Sequence, residues 1–168
     1  MANNDRKSLA VDGRITKGIL LAYAATTTPV KISTAGNSDG TLIKGLQQIP
    51  DVGGNAETIE VTTFNDHAHT FINGLLTYGD SIEFTCLHDK NQFATLAAIT
   101  TPLQFAIGLP DADTITSTSD FDEIGTVAQL EGELSVKING VGTNEALTDT
   151  IAITPKSTIQ FTAATTTI

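Results

Sequence analysis

The chain is short of the groups that do chemistry. One cysteine in 168 residues excludes an internal disulfide framework and leaves the redox compartment open. Nine lysines and arginines face nineteen aspartates and glutamates, a formal net charge of −10. Such a balance argues against a protein that grips nucleic acid through its phosphates. Charged residues make up only 17% and hydrophobic residues 40%, which is not the composition of a disordered chain. No apolar run is long enough to span a bilayer, so no membrane partner is expected. No serine has a histidine and a carboxylate in supporting positions. Gly140-Val141-Gly142 precedes no helix, which removes a dinucleotide fingerprint. These gaps point away from an enzyme and from a cofactor.

What is there reads as sheet. The length suits one domain with a substantial core, and threonine fills much of the space left by charged residues. Ile59 and Val61 alternate with Glu60 and Thr62. Ile82, Phe84 and Cys86 alternate with Ser81, Glu83, Thr85 and Leu87. Leu103, Phe105, Ile107 and Leu109 follow, then Leu130, Leu134, Val136 and Ile138 against Glu131, Glu133, Ser135 and Lys137. Leu147, Ile151, Ile153, Ile159 and Phe161 complete the series. This alternation predicts a mainly antiparallel sheet, packed on one side and wet on the other. Ile59, Val61, Ile82 and Phe84 are expected to hold it.

One helix is predicted after Asp89, with Gln92 completing a capping-box-like pair and Phe93, Leu96 and Ala97 on one face. Thr100-Thr101-Pro102 ends it. Residues 111–122 and 140–146 read as hairpin loops. The whole of 1–168 is expected as one domain, with a flexible arm over 1–12 and a flexible tail over 163–168.

Charge is placed unevenly, +3 before residue 50 and −13 from there on. A basic front on an acidic body is a basis for head-to-tail self-association, and two solvated surfaces are the plainer alternative. Gly18-Ile19-Leu20-Leu21-Ala22-Tyr23-Ala24-Ala25 ends in an A-x-A-like Ala22-Tyr23-Ala24. The apolar run is short and its polar lead long, so a secretory signal is not the expected reading.

Several pieces follow one another in a telling order. They are Ile49-Pro50-Asp51-Val52-Gly53-Gly54, Glu57-Thr58-Ile59-Glu60-Val61-Thr62-Thr63, Phe71-Ile72-Asn73-Gly74-Leu75, Ile82-Glu83-Phe84-Thr85 and the helix after Asp89. Later come Phe105-Ala106-Ile107-Gly108-Leu109-Pro110-Asp111 and Ile138-Asn139-Gly140-Val141-Gly142-Thr143-Asn144-Glu145. Together they resemble the major tail proteins, or tail tube proteins, of long-tailed (siphovirus-type) bacteriophages.

The resemblance implies an antiparallel β-sandwich or barrel-like fold with one short flanking α-helix. It implies a virion protein, assembled in the host cytoplasm, whose hexameric rings stack head to tail into the conduit for genomic DNA. Tape measure, tail terminator and baseplate proteins would be its partners, and DNA would pass without specific binding. The inter-subunit contact loop would comprise Ile49, Pro50, Asp51, Val52, Gly53, Gly54, Asn55 and Glu57, ordering only against a neighbour. An acidic wall keeps a polyanion off its surface, so Glu60, Thr62, Ser81, Glu83, Thr85, Glu131 and Glu133 are the lumen-facing candidates. One departure is Pro110-Asp111-Ala112-Asp113, where the family often has Pro-Asp-Gly.

Three places invite sharper chemistry. His67 and His69 make an H-x-H pair without the glutamate of a cupin-like metal enzyme. Cys86 and His88 could pair as nucleophile and base, although Cys86 sits on the apolar face. Asp111, Asp113, Asp120, Asp122 and Glu123 invite calcium but lack the spacing of an EF-hand loop. No metal is expected. An Ig-like or carbohydrate-binding β-sandwich is the main rival, since Asp149-Thr150-Ile151-Ala152-Ile153-Thr154-Pro155 also suits such strands.

Overall fold

The structure is a computed structural model that describes residues 19–48, 50–64, 67–78, 81–112 and 123–166. The expected arm over 1–12, Ile49, and the acidic Asp113, Asp120 and Asp122 lie outside these residues.

Among the described residues ten strands and one helix follow one another. They are β1 (Leu20–Ala24), β2 (Thr41–Ile43), β3 (Leu46–Gln48), β4 (Asn55–Glu60), β5 (Phe71–Thr77), β6 (Ile82–Leu87), α1 (Lys90–Ala97), β7 (Leu103–Leu109), β8 (Thr126–Ile138), β9 (Thr148–Pro155) and β10 (Gln160–Ala163). Eight strands form one antiparallel sheet in the order β2-β1-β7-β8-β9-β6-β3, with β10 also paired to β8. Its end strands, β2 and β3, are separated in the chain only by Lys44 and Gly45. The backbone therefore leaves one edge of the sheet and joins the other within two residues, rolling it into a nearly closed barrel. Closing the sheet removes edges that would otherwise recruit other chains.

The interior follows the alternation. Ile82, Phe84 and Cys86 of β6 point in, with Leu103, Phe105, Ile107, Leu130, Ile151 and Ile153. Gly132 is the pivot of β8, pairing Leu103 of β7 on one side and Pro155 of β9 on the other. A Cβ there would stand 2.8 Å from both Ile153 Cγ2 and the Thr154 carbonyl, so only glycine lets the strands approach this closely.

The expected wet outer side fails across β1, β7 and the first half of β8. Ala22, Ala106 and Val127 are buried on that side too, beneath Val30, Ile32 and Ile124. The run weighed as a secretory signal is β1, an inner strand flanked by β2 and β7 with Leu21 and Ala22 fully buried. Residues 163–165, expected as a frayed tail, are held. Ala164 N–H donates to the Gly125 carbonyl at 2.8 Å, and Thr165 N–H to Ile32 at 3.0 Å.

The helix begins as expected. The Asp89 carboxylate accepts the amides of Asn91 and Gln92 at 2.8 and 3.1 Å. Gln92 departs from the capping box. Its Oε1 accepts the Lys44 N–H at 2.9 Å, and its Nε2 donates to the Lys44 carbonyl at 3.2 Å. One side-chain amide thus takes the place of a neighbouring strand at the seam of the barrel. Phe93 packs by its ring against His88, and Leu96 enters the core. No helix among the described residues is long and apolar enough to cross a membrane.

Two outcomes follow. Gln92→Ala removes both seam bonds and should cost about 1 to 2 kcal/mol, lowering Tm by about 3 to 6 °C in a thermal unfolding scan. Gln92→Glu keeps the acceptor and loses the donor, so it should fall between. Separately, the amides of Gln92 and Asn91 hold the Asp89 carboxyl below the usual aspartate range. Its contribution to stability is complete above the ordinary aspartate value, about 4, and fades as pH falls through the lowered one. Asp89→Asn, which keeps an acceptor without the charge, should narrow its stability gap from wild type on acidification below about pH 4.

Candidate functional site

The candidate contact loop grows into a separate hairpin, β4 paired with β5. Val52 and Tyr78 anchor its base against the barrel core. Gly54 lies so close to the Tyr78 ring and Leu76 that a Cβ would sit 2.9 Å from the ring carbons. Pro50 is half-buried, Asp51 and Gly53 are exposed, and Asn55 and Glu57 belong to β4. The expectation that residues 50–58 order only against a neighbour fails for their second half. Asn55, Ala56 and Thr58 pair with Thr77, Leu76 and Asn73 within the chain.

The hairpin is apolar where a free surface strand would be polar. Ile59 and Val61, expected to hold the main sheet, lie here and are 49% and 40% exposed. Phe71, Ile72 and Leu76 are each at least half exposed, and Leu75 is 83% exposed. Ile59 and Ile72 face each other across the ladder, and Phe71 opposes Glu60 on the next rung, so apolar groups occupy both faces. At the tip, Glu60 accepts from the Thr62 hydroxyl at 2.8 Å and pairs with His69 Nδ1. Those two partners hold the Glu60 carboxyl below its usual range. The Thr62 hydroxyl also accepts the Thr70 N–H at 3.0 Å. Glu60 and Thr62, two of the lumen-facing candidates, organise this turn.

The other lumen candidates divide. Glu83 and Thr85 point out from β6, and Glu131 and Glu133 point out from β8. Register places Glu83, Ala152 and Ser135 in one row, and Thr85, Thr150 and Lys137 in the next. Ser81 is half-buried ahead of β6. Lysines interrupt the acidity, because Lys156 pairs with Glu133 and Lys137 shares the face. The face is one of small, mixed polar groups rather than an acidic wall.

The end of the barrel away from the hairpin carries a second apolar group. Leu87 ends β6 opposite Thr148, and Ile138 ends β8 opposite Asp149. Val141 and Leu147 lie in the intervening loop, and all four side chains are well exposed. The sequence did contain one signal for this rim: Leu87 interrupts the polar row of Ser81, Glu83 and Thr85.

Beneath the rim sit Cys86, His88 and Asp149. His88 Nδ1 lies 2.9 Å from both carboxylate oxygens of Asp149, whose side chain is only 4% exposed. The set resembles a thiol, base and carboxylate in composition only. Cys86 is buried in the core. Burial pushes its thiol up, and the Asp149 carboxylate adds to the effect. The His88–Asp149 pair joins the end of β6 to the start of β9, reinforced by His88 N–H donating to the Leu147 carbonyl at 3.0 Å. Among the described residues no three histidine, cysteine, aspartate or glutamate side chains converge as metal ligands. His67 is exposed, and Asp111 accepts the amide and hydroxyl of Thr126, both at 2.6 Å, closing the base of its loop.

Native Cys86 should resist alkylation by iodoacetamide at neutral pH and react fully in denaturant, as read by mass spectrometry. Rapid native labelling would refute the buried, protonated assignment.

The sequence matches no protein-family model and no curated protein. The fold has solved counterparts. One is a chain of the cryo-EM structure of the anti-feeding prophage (AFP) baseplate, 6-fold symmetrised, at a TM-score of 0.58 and 11% identity. The match covers 92% of this chain and 97% of that one.

Proposed function

We propose that this chain is a structural virion protein of a phage-tail-type particle, without catalytic activity, that self-assembles into stacked hexameric rings. In this reading the rings form a tail tube that conducts genomic DNA and meets tape measure, terminator and baseplate proteins at its ends. The observation that carries it is the apolar hairpin. A folded barrel that leaves Ile59, Val61, Phe64, Phe71, Ile72, Leu75 and Leu76 of one ribbon in water gains stability by covering them, and contiguous patches of this kind mark protein contacts.

Two further observations support the reading. A solved counterpart of the fold lies in a 6-fold symmetrised baseplate assembly. The outward face around Ser135, Ala152 and Thr154 has short side chains, and its Glu83, Glu131 and Glu133 outnumber Lys137 and Lys156, so it offers a polyanion little to hold. Placing this face on the lumen leaves the hairpin for contact between copies.

Negative-stain microscopy of concentrated protein should show rings or tubes with six-fold end views. Sedimentation that yields only monomer over a hundredfold range of concentration would overturn the proposal.

A further inference from the structure

Strand β2 ends the sheet, and among the described residues only β1 pairs with it. Their antiparallel rungs are Leu21–Ile43, Ala22–Leu42 and Tyr23–Thr41, and rungs of this kind alternate between hydrogen-bonded and open pairs. Lys44 tells which are which. Its N–H and C=O both meet Gln92 of α1 rather than β1. The peptide groups of an extended strand alternate in direction, so those of Leu42, two residues earlier, point the same way. Thr41 and Ile43 therefore bond β1, while Leu42 and Lys44 face the free side.

The helix does not seal this side. An open groove of about 280 Å³ lies between Thr41, Leu42 and Ile43 on one wall and Asn91 and Thr95 on the other. The helix has eight residues, of which only Leu96 is buried. Among the described residues, Gln92 is the one helical side chain that hydrogen-bonds to the link between β2 and β3. Its primary amide carries the donor and acceptor of a peptide group, so it satisfies Lys44 as an added strand would. An end strand whose free side were left unguarded would be a template for pairing with another chain.

We infer that Gln92 is an autoinhibitory lock, withholding Lys44 from β2 of a second copy of the chain. That strand is the one excluded because the free side of β2 is complementary to itself. With two copies antiparallel about a two-fold axis at Ile43, Leu42 of each faces Lys44 of the other. Each such pair would exchange both of its backbone bonds. Every bond of the set uses a Lys44 group, so none forms while Gln92 holds that residue. The contact is the same patch on both copies and closes at a dimer. It would therefore divert chains from rings and tubes, and an assembling protein gains from keeping it shut. The lock acts in the free chain, whether or not rings form.

The test uses the full-length variants Gln92→Ala and Gln92→Met, the second keeping the side chain's length without its hydrogen-bonding atoms. They are studied by analytical ultracentrifugation well below Tm, where wild type is monomeric. Both should dimerise about tenfold more tightly than wild type, because no bonds to Lys44 must first be broken, and stop at twice the monomer mass. Adding Lys44→Pro to Gln92→Ala should restore the monomer, since proline removes the Lys44 N–H yet suits an edge. Ile153→Val, a core change in β9 of similar cost, should stay monomeric. A lowered Tm with no gain in mass in either Gln92 variant would make Gln92 a structural tie only and overturn the lock. Equal dimerisation by Ile153→Val would do so by tracing the association to lost stability. Association that survives Lys44→Pro, or that runs past two copies, would place the contact elsewhere and overturn it as well. Ring formation is read on wild type at higher concentration, so its success or failure is separate.

Discussion

Closure of the sheet at Lys44 and Gly45 is the constraint on which the rest of this structure depends. A row of seven strands has two open edges, and each presents unpaired backbone groups. This chain joins its two edges through two residues, one of them a glycine with φ of 76°. So short a crossing cannot supply its own pairing. The Gln92 side chain does so, offering the acceptor and donor that a neighbouring strand would offer. The helix is thereby part of the sheet's hydrogen bonding, and its cap at Asp89 sets where that amide falls. His88 and Asp149 hold the same end from the other side of β6.

The polar groups that looked available are engaged in backbone accounting or strand joining. Asp89 caps, Asp111 closes a loop, Glu60 shapes a turn, and Asp149 is hydrogen-bonded to an imidazole. Cys86, opposite Asp149 in the β6–β9 register, is core. What the fold leaves in water is unusual in the opposite sense. The apolar hairpin and rim are surfaces that nothing among the described residues covers, which is why the functional reading is one of assembly.

Much of the barrel was legible in advance, and for one reason. Period-two alternation reports a half-buried strand directly, so β6, β7 and the second half of β8 fall where Phe84, Phe105 and Leu134 place them. The Asp89 cap was legible because its partners are two and three residues away. Less local features were not. β1 read as a short apolar run that could equally suit a signal, because a strand buried on both faces has no alternation. Ile59 and Val61 alternate as well as Phe84 does, yet face solvent, because periodicity marks an apolar face without naming what covers it. Gln92 looked like half of a capping box. Its actual partner lies 48 residues away, which no local pattern encodes.

The sequence by itself determined the strand-rich class, the helix after Asp89 with its cap, the acidic body and the absence of a legible catalytic motif. Each follows from composition or from contacts within a few residues. Only the tertiary structure decided which strands share a sheet, that the sheet closes on itself, and that the polar face carries lysines among its carboxylates. It alone decided that the most apolar ribbon stands apart from the barrel as a sheet of its own. Those outcomes depend on pairing between residues far apart in the chain, where burial is settled by what else arrives at the same place.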